Sequence, residues 1–364
     1  MHRRSSARNP LKRDGLRAPR VQRLTGARLT RAFLSLALLA LSMAAPTPAP
    51  GSGRRLDGVN VIMAPDHPFG GSSAKRSLAE LRRLGAGAIA VVPFLWQPRP
   101  PSPNIVRGDD MPDEVLRAAI RDAHGLGLAV VVKPQVWVPA SWAGAVAMDD
   151  EAAWDRWFAN YQRELVRIAR IAQEEGAQAL AIGTELVLTT GRPEWPGLIA
   201  DVRAVYSGTL LYVAHNADEA ELVPFWDKLD VIGVSLYPPL GPDADASGRR
   251  ATMRATADRL DALAAATGKS VVVAEIGLRS AQGAAARPWE SAEERASPAD
   301  PQLQAAVLAD WLAALDRPAI RGIMIWRWLS DPDAGGAADT DFTVQHKPAE
   351  RVLLCAWAGK CDKR

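Results

Sequence analysis

The chain has 364 residues, 48% of them apolar and 23% charged, which excludes a disordered protein and leaves room for a large core. The net charge of +3 is unevenly spread: residues 1–55 hold 12 of the 44 Lys and Arg and one of the 41 acids, so the remainder carries 32 basic against 40 acidic residues. A mildly acidic body argues against nucleic acid as a partner.

Residues 1–31 are rich in Arg, and residues 32–45 form one apolar run. A basic segment, an apolar run and small residues with a possible cleavage point at Ser42-x-Ala44 read as a secretory signal over residues 1–45. The run is short for a stable membrane span, which takes about 20 apolar residues. Residues 46–55, mostly Pro, Gly, Ser and Arg, read as a linker. The expectation is export to the periplasm or beyond, or retention by an uncleaved N-terminal anchor. Cys355 and Cys361 have no His close by and match no zinc spacing. They form either a short-loop disulfide, as an oxidising compartment permits, or two free thiols.

From residue 56 to the C-terminus, strand and helix patterns alternate. Strands are expected at 59–63, 88–92, 128–132, 179–182, 210–214, 231–236, 271–274 and 320–326. Helices are expected at 73–84, 112–126, 154–175, 195–206, 220–229, 249–267, 301–315 and 348–357. The clearest helical stripe is Trp154, Phe158, Tyr161, Leu165, Ile168 and Ala172. Eight apolar strands alternating with amphipathic helices predict an α/β protein, a (β/α)8 TIM barrel with a single catalytic domain over residues 56–364. No GxGxxG follows the first strand, which weighs against dinucleotide binding.

In such barrels the active site lies at the C-terminal ends of the strands. Those ends carry Trp96, Lys133, Trp137 and Trp142, then Glu185, His215-Asn216, Tyr237, Glu275, and Trp326-Arg-Trp328. The 12 Trp outnumber the 6 Phe and 4 Tyr, which suits flat platforms for sugar rings, with about half of them left to the core. Two strand-end carboxylates, Glu185 and Glu275, are the pair that glycosidic hydrolysis needs: one protonated to assist the leaving oxygen, one ionised to attack the anomeric carbon. Lys133 is either a substrate contact or an ion-pair partner inside the barrel. His215 and Asn216 either bind sugar hydroxyls or satisfy each other. Tyr237 either orients a carboxylate or packs. The remaining His match no metal spacing, and Gly233-Val-Ser-Leu-Tyr237 is not a nucleophile elbow.

These residues resemble the retaining clan A glycoside hydrolases, and most of all glycoside hydrolase family 113, whose known members include endo-β-1,4-mannanases. The stretches that carry the resemblance are Lys133-Pro-Gln-Val-Trp137, Ile182-Gly-Thr-Glu-Leu186, Trp226-Asp-Lys-Leu-Asp-Val-Ile-Gly233 with Tyr237-Pro, and Glu275-Ile-Gly277 with Pro288-Trp289. Ile325-Trp-Arg-Trp328, Gly335-Gly336 and Lys347-Pro-Ala349 complete them. The resemblance implies Glu185 as acid/base, Glu275 as nucleophile, Tyr237 as the donor to Glu275, and Trp326 as the floor under the sugar at the cleavage point. Thr184 stands where many clan members have Asn, and Gln135 where His is expected. The expected function is hydrolysis of a β-linked polysaccharide or oligosaccharide, most of all β-1,4-mannan, with substrate contacts from Trp96, Lys133, Trp137, Trp142, Asn216, Tyr237, Trp326 and Trp328. No cofactor or metal is expected, and the chain is expected to act as a monomer. The alternative is a non-hydrolytic carbohydrate-binding barrel in a polysaccharide assembly or export system. A sugar-phosphate enzyme is disfavoured, because no Gly-rich phosphate loop follows the last two strands.

Overall fold

The structure, a computed structural model, describes residues 55–361. The expected signal segment at 1–45 and nearly all of the linker lie outside the described residues. Eight parallel strands close a barrel: β1 Gly58–Ile62, β2 Ala88–Val91, β3 Ala129–Val132, β4 Ala179–Thr184, β5 Thr209–His215, β6 Val231–Leu236, β7 Val271–Ile276 and β8 Ile320–Leu329. Each strand pairs with the next, and β1 meets both β2 (Val59 beside Ile89) and β8 (Val59 beside Ile325) to complete the ring. The helices that cover it are α1 Ser72–Leu84, α2 Asp113–Gly125, α3 Glu151–Glu174, α4 Trp195–Arg203, α5 Asn216–Ala220, α6 Ala246–Thr267, α7 Pro301–Ala314 and α8 Ala349–Ala358.

Every residue of β2, β4 and β7 is buried, as strands facing both a barrel interior and a helix layer must be. The interior layer is built from small or slender side chains, among them Ala88, Ala90, Ala179, Ala181 and Ala274, with Met324 filling the remaining space. The outer layer is larger. The whole predicted stripe of α3 is buried in it, and Trp157 stacks on Tyr161 at 5.0 Å. The helix starts are set locally. Asp150, Asp245 and Asp300 accept N–H bonds from Ala153, Gly248 and Leu303 at the heads of α3, α6 and α7.

One expected element needs correction, and one element is new. The helix expected at 220–229 is instead the five-residue α5 and a separate 3-10 turn, Trp226–Lys228. Pro224 lies between them and has no N–H to continue a helix. A second sheet was not foreseen: Phe94–Trp96, Val106–Arg107 and Gln135–Trp137 form a three-stranded ribbon. Pro93 and Pro134 interrupt β2 and β3, and the chain resumes as ribbon strands too short for an alternating pattern to register. Cys355 and Cys361 are joined in a disulfide. Among the described residues no helix is long and apolar enough to cross a membrane.

Candidate active site

The barrel brings Glu185 and Glu275 to its C-terminal end, where polar groups from five strands converge. Glu275 lies within β7 and is 5% exposed. Both of its oxygens are engaged. Oε1 accepts the Tyr237 hydroxyl at 2.9 Å, and Oε2 meets the Lys133 ammonium in a hydrogen-bonded ion pair. Lys133 has no solvent exposure and sits just past β3, held there because its N–H bonds to Val91 O at 2.8 Å. Its ammonium also lies 5.2 Å from the centre of the Trp326 ring. Of the two readings of Lys133, the ion pair is the one observed; of the two for Tyr237, it is the orienting hydrogen bond.

Glu185 follows β4 with φ of 54°, a left-handed conformation unusual for a residue with a Cβ. Its Oε1 takes two donors, His215 Nδ1 at 3.1 Å and the Ser235 hydroxyl. Oε2 is engaged by neither of these. Asn216 fixes the His215 tautomer. Its Oδ1 accepts the Tyr237 N–H at 2.7 Å, so its Nδ2 is left to donate to His215 Nε2, 3.0 Å away. The ring proton therefore lies on Nδ1, aimed at Glu185. Trp142 packs edge-on against the His215 ring at 5.0 Å.

Behind this pair sits Glu219, buried in α5. It accepts the Tyr212 hydroxyl at 2.6 Å and the backbone N–H of His215 at 2.5 Å, while Tyr212 in turn accepts the N–H of Leu186 at 2.9 Å. One carboxylate thus braces both the His215 backbone and the residue following Glu185.

Burial is the largest single influence on each of these acids, though it does not decide the direction for every one. It pushes Glu275 above the usual carboxylate range; Lys133 and Tyr237 oppose it, and the charge of Glu185 adds to it. Burial also works against ionised Glu185, yet His215, Ser235 and Lys133 more than offset it and hold Glu185 below that range. Burial lowers His215, but the charges of Glu185, Glu219 and Glu275 outweigh it and raise the imidazole above its ordinary value. Glu219 is pushed up to about 7, chiefly by burial. The charge of Glu185 bears on Glu275, so the protonation of Glu275 depends on that of Glu185.

The other expected site residues divide. Trp96, Trp137 and Trp142 are exposed, and Trp326 is half-buried beside Lys133 and Arg327. Trp328 is fully buried among core residues, and its indole N–H donates to Ser77 Oγ at 2.7 Å, so it is a packing residue and not a substrate contact. Asn216 satisfies its neighbours within the protein. Six of the 12 Trp are buried, which leaves the other six to supply any sugar platform. Sequence reading gave Ser235 no role and missed Glu219 altogether. The available signal was an acid in the first turn of a helix reaching back to the N-terminal N–H, as in a capping box. Among the described residues no group of three or more His, Cys, Asp and Glu is placed to hold a metal ion.

The sequence profile of glycoside hydrolase family 113 matches residues 61–347, nearly the whole barrel. The chain belongs to glycoside hydrolase family 113. Three solved structures place the family 113 barrel in context. A family 113 β-mannanase from Alicyclobacillus acidocaldarius, solved in complex with ManMIm, superposes with a TM-score of 0.76 at 24% identity, over 85% of this chain and 99% of that one. A family 113 β-1,4-mannanase, solved as a complex, gives 0.75 at 26% identity, over 85% of this chain and all of the other. A β-glucuronidase from Ruminococcus gnavus gives 0.57 at 13% identity, over 84% of this chain and 50% of that one, a likeness of fold alone. No curated protein sequence matches the chain. As a family 113 member with a closed (β/α)8 barrel, the chain is a glycoside hydrolase.

Proposed function

We propose that this glycoside hydrolase cleaves β-1,4-mannan or a closely related β-linked polysaccharide with retention of configuration, Glu275 attacking the anomeric carbon and Glu185 serving as acid and then base. One observation carries the assignment of roles: the two carboxylates are held differently. Both oxygens of Glu275 are tied to a cation and a hydroxyl donor, which fixes its aim and opposes the burial that raises it. Glu185 is held through Oε1 by His215 and Ser235, which leaves Oε2 to carry a proton to the glycosidic oxygen. Burial leaves Glu275 raised and the donors on Glu185 leave it lowered, the reverse of what the two roles need. The roles are therefore assigned on the hydrogen-bond geometry. A proton on Glu185 removes one of the two contributions that raise Glu275.

In the first step the glycosidic C–O bond breaks as Glu275 bonds to the anomeric carbon, and the Glu185 proton passes to the departing oxygen. In the second, Glu185 takes a proton from water, which displaces Glu275 and restores the sugar's original configuration. The indole of Trp326 is the flat surface for the sugar at the reacting carbon, and Trp142, against the partner of Glu185, belongs to the leaving-group side. The choice of β-1,4-mannan rests on the family and on the β-1,4-mannanase at 26% identity. The basic, then apolar, N-terminal segment supports export.

Glu275→Ala tests the reading. The variant should lose turnover and regain part of it with azide, giving a glycosyl azide of inverted configuration. Full activity without azide refutes the assignment. Product of unchanged configuration would move the nucleophile elsewhere.

A further inference from the structure

The first strand sends a single polar side chain into the barrel, Asn60, which is fully buried. It lies in register with Ala90, so it points into the layer that holds Ala90, Ala274 and Met324. Two carbonyl acceptors orient its amide. Nδ2 donates to Ala274 O at 3.0 Å, with Ile325 O at the longer distance of 3.5 Å. Oδ1 is shielded from solvent and has no hydrogen-bond partner among the described residues. A buried acceptor without a donor costs free energy, and a leucine of the same branching would not carry that cost. Stability alone is thus a poor account of an amide at this point.

The two carbonyls mark what the amide does. Ala274 precedes Glu275 and Ile325 precedes Trp326, and both strands are irregular there. On the β6 side, Val234 pairs with Val273 and Ser235 with Glu275, so Ala274 is an extra residue with no counterpart. On the β8 side, Val273 pairs with Ile323 and Ile276 with Ile325, so Ala274 and Glu275 stand opposite Met324 alone. Between β8 and β1, Ile325 pairs with Val59 and Trp328 with Val61, so Trp326 and Arg327 stand opposite Asn60 alone. An extra residue bends its strand, falls outside the ladder and re-aims the side chains beside it. Asn60 supplies a donor to that residue on β7 from β1, a strand that does not pair with β7. Just past the bulged residue, the Glu275 oxygens meet Tyr237 and Lys133.

We propose that Asn60 is a positioning residue for the nucleophile: by holding the carbonyl of the bulged Ala274 it fixes the bend in β7, and with it the aim of Glu275 at the anomeric carbon. The proposal rests on the reading of Glu275 as the attacking group. Asn60 is fully buried and does not touch substrate. Its loss leaves sugar binding in place and slows bond formation, because a misplacement of about 1 Å at the reacting atoms is costly in rate.

The test labels the enzyme with 2-deoxy-2-fluoro-β-mannobiosyl fluoride, with the gluco-configured analogue run alongside. Glu275 bonds to the anomeric carbon, the C–F bond breaks and fluoride departs with its electron pair, without needing the Glu185 proton. The 2-fluoro group slows the hydrolysis that follows, so the label stays. Mass spectrometry of the intact chain counts labelled molecules, and peptide mapping finds the labelled residue. In Asn60→Leu the limiting rate of labelling should fall about tenfold. The reagent concentration at half that rate should be unchanged, and the final yield of label should equal the parent's. A parent-like rate overturns the proposal. So does a lower final yield that accounts for the whole loss, since that is the mark of a misfolded fraction. Asn60→Val, which also lacks the donor, is measured in the same way; if only that variant folds, its rate decides. A parent labelled at another residue, or at none by either reagent, overturns the Glu275 reading and the proposal with it, and is seen before any Asn60 variant is compared.

Discussion

Replacing Lys133 with Met removes one charge from the centre of the site while keeping nearly the same length and shape. Lys133 is completely buried, and its ammonium is the cation paired with Glu275 Oε2. In the variant Glu275 keeps the Tyr237 hydroxyl and loses the charge that opposes its burial. Breaking one side of a buried ion pair costs about 3–5 kcal/mol. Glu275 escapes that cost by keeping a proton, and a protonated carboxyl does not attack. A loss of about 3 kcal/mol in the ionised form is about a hundredfold in rate. The expected result is therefore a kcat/KM near neutral pH lower by about two orders of magnitude. Because Lys133 lowers the Glu275 pKa, its removal raises it, and the acid limb of the pH profile moves to higher pH with activity partly recovered in alkali. Thermal unfolding followed over the same pH range serves as the control. The variant should lose most stability at neutral pH and least in acid, where Glu275 holds its proton with or without Lys133. A uniform loss of activity at every pH, with the acid limb unmoved, refutes the claim that Lys133 acts through the ionisation of Glu275.

Glu219 gives a prediction about stability. Its carboxyl is pushed up to about 7 from an ordinary 4.5, chiefly by burial. A raised acid pKa means that the folded state keeps a proton which the unfolded chain releases, so the contribution is full below pH 4.5 and declines as pH rises to about 7. The decline is about 3 kcal/mol. Thermal unfolding of the parent and Glu219→Gln at both ends of that window should show the parent's advantage shrinking as pH rises; a constant difference contradicts it. Glu185→Ala should slow substrates with poor leaving groups far more than activated aryl glycosides, which need little protonation. Equal slowing would remove Glu185 from the acid's role. Reducing the Cys355–Cys361 disulfide, which closes a separation of six residues, should cost about 2 kcal/mol at most, read as a small fall in Tm with activity retained. Loss of activity on reduction would mean that the C-terminal helix supports the site.

The eight strand–helix units were legible because the strands are mainly apolar, Asn60 and Arg321 being among the exceptions, and because α1, α2 and α3 have clear apolar stripes. Val231–Leu236 is the expected strand residue for residue, and Trp195 and Pro301 start their helices where foreseen. Glu185 and Glu275 were legible only as a pair: one Glu after a strand is more often a helix cap or a surface residue, whereas two, at the ends of the fourth and seventh strands among indoles, point to one pocket. Trp328 was misread because it shares the tip of β8 with Trp326. At that point the bulged pairing of β1 with β8, where Val61 lies beside Trp328, takes it into the core. Nothing in the local sequence marks that shift. The ribbon and the role of Glu219 were hidden for different reasons. Strands of two and three residues give no period, and Glu219 acts through Tyr212 and the backbone of His215, contacts fixed only when β5 and α5 are folded together.

The central claim is a retaining cleavage of β-1,4-mannan by the Glu185–Glu275 pair. The most direct test is proton NMR of manno-oligosaccharide hydrolysis, recorded before the products mutarotate. The account predicts that newly formed reducing ends appear first as the β-anomer and drift to equilibrium. First appearance of the α-anomer would contradict it, because that outcome requires water, and not Glu275, to attack the anomeric carbon.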